Sequence, residues 1–183
     1  MNDTHFVLGV RHFGRFTRSR DENDAAIAEA RDALVSAVDA DPGQPDAPDV
    51  LDATVDLAEA LTVAHREPEA VALAAPAVAL AREAGRAETL GWALLVLATA
   101  EHYADLPADA EPHFVEALTV ARTSGDEVLE HHTLHHLGRF LVDTERADDA
   151  ILAFEAALEI RERLGEPRAA GTRAAVEALT GDR

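Results

Sequence analysis

The sequence predicts an all-α fold, a solenoid of four helix-turn-helix repeats closed by a C-terminal helix. Three observations predict it. Alanine supplies 39 of the 183 residues, and alanine is the strongest helix former. Aromatic residues make up only 4%, and no segment alternates with the period of two that marks a strand. Small residues also recur at a fixed spacing. Ala70, Ala110 and Ala150 lie 40 apart, as do Ala77, Ala117 and Ala157, and as do Gly85, Gly125 and Gly165.

The first unit is found by alignment. LGRFLVDTERADDAILAFEAAL, from Leu137, matches FGRFTRSRDENDAAIAEARDAL, from Phe13, placing Gly138 on Gly14, Arg139 on Arg15, Phe140 on Phe16 and Leu158 on Leu34. The spacing from Ala26 to Ala70 is 44, and the Pro/Asp-rich loop 41–49, DPGQPDAPD, absorbs the excess. The units therefore run about 3–42, 47–86, 87–126 and 127–166, within one domain spanning 1–183. In the third unit the first helix is ETLGWALLVLATAEHYA and the second roughly ADAEPHFVEALTVARTS. The three spaced glycines fall just past helix ends, where a left-handed residue closes the last turn. Asp126 and Thr144 are expected N-caps. Pro76 falls inside the second helix of unit two, where a kink is expected. A capping helix over 168–180 is expected to turn Val176 and Leu179 inward, with Arg168, Arg173, Glu177 and Asp182 forming the polar outer face that an end repeat needs.

This pattern resembles the tetratricopeptide repeat family over nearly the whole chain. The family's small close-contact residue corresponds to Gly14, Ala58, Ala98 and Gly138, preceded by Phe13, Leu57, Leu97 and Leu137. Its second-helix small–aromatic pair corresponds to Ala110 with Phe114 and Ala150 with Phe154; Ala30 and Ala74 replace the aromatic in the first two units. The phrase ALEIRERLGEP, Ala157–Pro167, is similar to the longer units of kinesin light chains and bacterial signalling ATPases. The resemblance implies a right-handed α-solenoid whose first helices line a concave, peptide-binding face.

Composition narrows the function. There is no Cys, which excludes disulfides, thiolate metal sites and a cysteine nucleophile. The net charge of −19 opposes nucleic-acid binding, since phosphate neutralisation needs basic surface. The longest apolar run, Ala70–Ala81, has twelve residues and contains Pro76; a spanning helix needs roughly 18 or more. No membrane association is expected, no secretory leader pattern is present, and a cytoplasmic location is the default. The four Arg and single acidic residue of 1–20 faintly match a transit peptide, but the repeat explains them better. No GxxxxGK[ST], GxGxxG or GxSxG motif occurs, so neither an enzyme nor a cofactor is expected.

The repeat frame projects Arg11, Arg15 and Arg18 of unit one onto the inner face, with Asp52 and Glu59 of unit two, Trp92, Thr99, His102 and Tyr103 of unit three, and His132, His135 and Arg139 of unit four. Trp, Tyr and Arg most often anchor interfaces; Trp92 and Tyr103 are either exposed there or buried between helices. Arg11, Arg15 and Arg18 share one face if helical, forming a carboxylate clamp or a solvated surface. Residues 1–20 carry +3 and the remainder −22, so self-association is an alternative use of the basic end. His131, His132, His135 and His136 form two i,i+4 pairs able to chelate a divalent metal, or simply a polar groove wall. The expected function is non-enzymatic binding of a protein or peptide segment, as an adaptor or sensor. The alternatives are a self-assembling module with its groove filled by another copy or its own terminus, and a metal-dependent enzyme at the histidines.

Overall fold

A computed structural model describes residues 12, 13, 15, 16 and 18–181. Eight helices and no strands occur among them. None of these helices is long and apolar enough to cross a membrane. The chain forms two compact units: Thr17–Ser124, and Gly125–Arg183 together with Met1–Phe16.

The first unit holds α1 (Arg20–Ala40), α2 (Pro48–Val63), α3 (Glu67–Glu83), α4 (Ala87–Tyr103) and α5 (Pro107–Ser124). Each helix packs on the next, and α2 also packs on α4, so the first helices of successive hairpins lie side by side. Ile27, Leu57, Leu61, Ala70 and Ala100 form a buried cluster, with Ala30 and Leu34 packed against it. The other unit holds α6 (Glu127–Asp143), α7 (Ala147–Leu164) and α8 (Ala169–Thr180), each packed on the next. Its core includes Phe13, Leu129, Phe140 and Phe154.

The 40-residue spacing is a spacing of buried contacts. Ala70, Ala110 and Ala150 are fully buried, as are Ala74, Phe114 and Phe154 and the close-contact residues Ala58 and Ala98. Gly138 has a specific reason to be glycine. A Cβ there would sit 2.9 Å from three atoms of the Phe154 ring. Gly14 lies outside the described residues. The turns repeat too. Gly85, Gly125 and Gly165 have φ of +68°, +72° and +68°, and at the same period His65, Asp105 and Glu145 take φ near +60° inside each hairpin. In both turn types the next N–H returns five residues to a helix carbonyl, as Arg66 to Leu61 and Glu166 to Arg161, the closure of a Schellman motif.

Two local expectations are corrected. A first helix was expected over the residues before α1, but His12, Phe13, Arg15, Phe16, Arg18 and Ser19 are not helical. Ser19 and Glu22 form a capping box, the Ser19 N–H donating to Glu22 at 2.8 Å and the Glu22 N–H to the Ser19 hydroxyl at 3.3 Å, which starts α1 at Arg20. α1 therefore buries only Ile27 fully and leaves Val35 and Val38 exposed. Thr144 is not an N-cap. Its hydroxyl donates back to the Phe140 carbonyl at 2.9 Å and it closes α6. Asp126 does cap α6, accepting from the Leu129 N–H at 2.9 Å. In α8 Leu179 and Ala175 are buried, Val176 is half-buried, Arg173 and Glu177 are exposed, and Asp182 lies outside the described residues.

Candidate functional site

The adjacency of α2 and α4 opens a cavity of about 620 Å³. From α2 it takes Pro48, Asp52, Val55, Asp56 and Glu59, and from the start of α4 it takes Arg86, Ala87, Glu88, Thr89 and Trp92. Positions one turn apart share a helix face, which brings Asp52, Asp56 and Glu59 to one wall. The Thr89 hydroxyl donates to Asp52 at 2.8 Å and ties the helices together. Burial, and then the charge of Asp52, raise the Asp56 carboxyl above its ordinary value. Four carboxylates and a half-buried indole thus face one guanidinium, whose Nε donates to the Asp46 carbonyl at 3.0 Å. A cation entering here gains carboxylate partners and an aromatic face.

The structure places the other expected α4 residues elsewhere. Thr99 is buried and bonds the Leu95 carbonyl at 2.8 Å. His102 and Tyr103 are also buried, their rings 4.9 Å apart. None of the three lines the cavity. Of the expected inner-face residues, Asp52, Glu59 and Trp92 meet there.

In the other unit, Arg139 and Asp143 stand one turn apart on α6 and hold a single residue. The Arg139 Nε donates to the Phe13 carbonyl at 2.9 Å, and the Phe13 N–H donates to Asp143 Oδ1 at 2.9 Å. His12 Nδ1 lies 3.8 Å from the second Asp143 oxygen. The Phe13 ring is 1% exposed and lies 6.2 Å from the Phe154 ring, which His135 meets edge-on at 5.2 Å. Arg15 is half-buried and Arg18 exposed, both off any helix. The helical three-arginine face is therefore corrected: the local backbone lacks the turn that would align them. Arg11 lies outside the described residues.

The histidines of α6 meet an arginine. Arg161 on α7 is 3% exposed; its Nε donates to His131 Nδ1 at 3.1 Å and its Nη1 to the Thr172 hydroxyl of α8. Thr172 Oγ1 is also 3.2 Å from His135 Nδ1. His131 is fully buried, and its Nε2 has no hydrogen-bond partner among the described residues. Burial and then Arg161 push the His131 pKa down. Burial pushes His132 to about 3 and His135 well below its ordinary value. Arg161 is itself lowered to about 10, by burial and then by Arg168. His131 and His132 stack at 4.6 Å, and His136 meets His135 edge-on at 6.0 Å. A divalent cation at His131 would lie against the Arg161 guanidinium, which opposes the chelating reading.

Arg161 and Thr172 were not foreseen, though one signal marks the former: Ala81 and Ala121 occupy its place in the two preceding repeats. Residues 132–164, most of α6 and all of α7, match the family model for the tetratricopeptide repeat. No curated protein matches the chain.

Proposed function

We propose, from the match of residues 132–164 to the tetratricopeptide repeat, that the chain is a non-enzymatic adaptor or sensor binding a basic segment of a partner protein. Tetratricopeptide repeats are generally protein-interaction modules, and the family is typically non-catalytic. The observation that carries the reading is the cavity between α2 and α4, with Trp92 on its wall and Asp52, Asp56, Glu59 and Glu88 around it. Like charges gathered around a half-buried indole are relieved by a cationic partner. The acidity that opposes nucleic-acid binding favours a Lys- or Arg-bearing peptide, through on-rate and register more than raw affinity.

The test is fluorescence anisotropy of a labelled Arg-rich peptide and a matched Glu-rich peptide, across a salt series. The Arg-rich peptide should bind and weaken with salt. Trp92→Ala should weaken it roughly tenfold, the value of a good aromatic anchor. Equal binding of both peptides, or no change in folded Trp92→Ala, removes this reading. Self-assembly is the second reading, favoured by the +3 charge of residues 1–20 against −22 elsewhere. Concentration-dependent mass in light scattering, lost at high salt, would support it.

A further inference from the structure

We propose that the Arg139–Asp143–Phe154 clasp is a second binding site, specific for a turn-forming segment bearing phenylalanine, and that the chain's own N-terminal segment occupies it in cis. The inference goes beyond the α2/α4 cavity and shares with it only the premise that this is a peptide-binding chain. Both backbone groups of Phe13 are held by side chains of α6, its N–H by Asp143 and its carbonyl by Arg139, each at 2.9 Å. That pairing reads main-chain groups with little regard to sequence, in a turn that the Arg15 N–H closes on the His12 carbonyl at 3.0 Å, while ring burial beside Phe154 reads the side chain. Gly138 makes the aromatic wall possible, since it leaves room for the Phe154 ring. The second oxygen of Asp143, near His12, adds a preference for a basic or imidazole residue just before the phenylalanine. The repeat frame assigns Arg139 to the inner face, and Asp143 stands one turn further along the same helix, so the segment lies where a partner segment would.

A rival segment offers the same groups, a ring for the Phe154 wall and main-chain partners for Arg139 and Asp143. A tethered segment nevertheless competes at millimolar effective concentration. An external segment of the same chemistry therefore has to displace it, and the site is regulated by its own chain. Release of Phe13 is the event that a partner brings about.

The experiment uses a labelled synthetic peptide copying residues 8–20, titrated into the full chain. Wild type should bind weakly. Phe13→Ala, with its clasp vacated, should bind at least about tenfold more tightly. Adding Asp143→Ala to Phe13→Ala, or replacing phenylalanine in the peptide, should abolish the gain, and Trp92→Ala should leave it unchanged. Circular dichroism checks that each variant keeps its helices. A second measurement does not depend on Phe13→Ala folding. The chain has no Cys, so a spin label on Arg15→Cys reports this segment alone, and its mobility should rise as excess peptide displaces it. Equal affinity in wild type and folded Phe13→Ala, or a label unmoved by saturating peptide, overturns the proposal. A wild-type dimer that Phe13→Ala dissolves would overturn the cis assignment by making a second copy the occupant. Because Trp92 has no part in this readout, its failure would leave the basic-peptide result standing, and the reverse holds too.

Discussion

The hairpins α4–α5 and α6–α7 follow one frame but spend their polar groups differently. In the third repeat, Glu101 of α4 pairs with His113 of α5 at 2.7 Å; the corresponding residues of the fourth, 40 further on, are Leu141 and Ala153. In the fourth repeat His131 pairs with Arg161, where the third has Gly91 and Ala121. The third hairpin thus buries an acid–imidazole pair and the fourth a guanidinium–imidazole pair. The consequence is structural. Arg161 extends past His131 to Thr172 of α8, so a position that elsewhere lets two helices close becomes the attachment of the capping helix. A repeat frame conserves packing positions, and the end of an array is where one of them is turned to another use.

The largest expected effect comes from returning that position to the alanine of its neighbours. Arg161→Ala leaves His131 and Thr172 buried without the guanidinium, at a cost of about 3 kcal/mol for lost charged hydrogen bonds. Urea denaturation measures it, and amide exchange across residues 172–179 should show α8 loosening first. Unchanged stability would mean that the alanine frame suffices and the network holds nothing. A smaller effect separates the two close-contact positions. Gly138→Ala forces the Phe154 ring to move and should cost about 2 kcal/mol. In the third repeat Ala98→Gly should cost about 1 kcal/mol through helix propensity. If both changes were neutral, ring approach would not distinguish the hairpins.

Much of the architecture was legible because its signals are local and periodic. The buried alanines, the left-handed glycines and the Asp126 cap each need only a few residues of context. Arg161 was hidden because a charged residue in a helix is ordinarily read as surface; only its coincidence with Ala81 and Ala121 betrays it. Phe13 was misread for a different reason. FGRF aligns with LGRF, but whether such a segment becomes helix is decided by competition, here between an i→i−4 ladder and the side chains of Arg139 and Asp143. Thr144 followed the same logic, its hydroxyl choosing the carbonyl behind it over the N–H groups ahead. At the candidate site, Trp92, Asp52 and Glu59, which the frame puts on one face, line one cavity. Tyr103, His102 and Thr99 share that helix but are buried, and spacing alone does not separate the two environments.

The smallest expected effect is a difference in sign with pH, and it sharpens the comparison furthest. His131, His132 and His135 are held below their ordinary pKa, chiefly by burial, with Arg161 adding to each. Groups held low in the folded state stay neutral while the unfolded chain takes up protons, so their stability contribution is intact above about pH 6.5 and is lost as pH falls below it. For His132 that loss continues toward pH 3. Arg139, Arg161 and Arg168 face the cluster, and only Glu166 opposes them for His131. Glu101 behaves oppositely. Burial raises its carboxyl despite the His113 hydrogen bond, so the folded state binds its proton first and gains stability as pH falls through the raised value. Between pH 7 and pH 6 the unfolded histidines pass through the middle of their titration, so the loss sets in there and steepens toward pH 5. Amide exchange corrected for intrinsic rates, followed from pH 7 to pH 5, should show protection falling across α6–α8 and holding across α4–α5. His135→Gln should flatten the first trend, and Glu101→Gln should leave it untouched. Parallel loss in both hairpins would mean that acid acts on the molecule's overall charge and not on these two buried pairs.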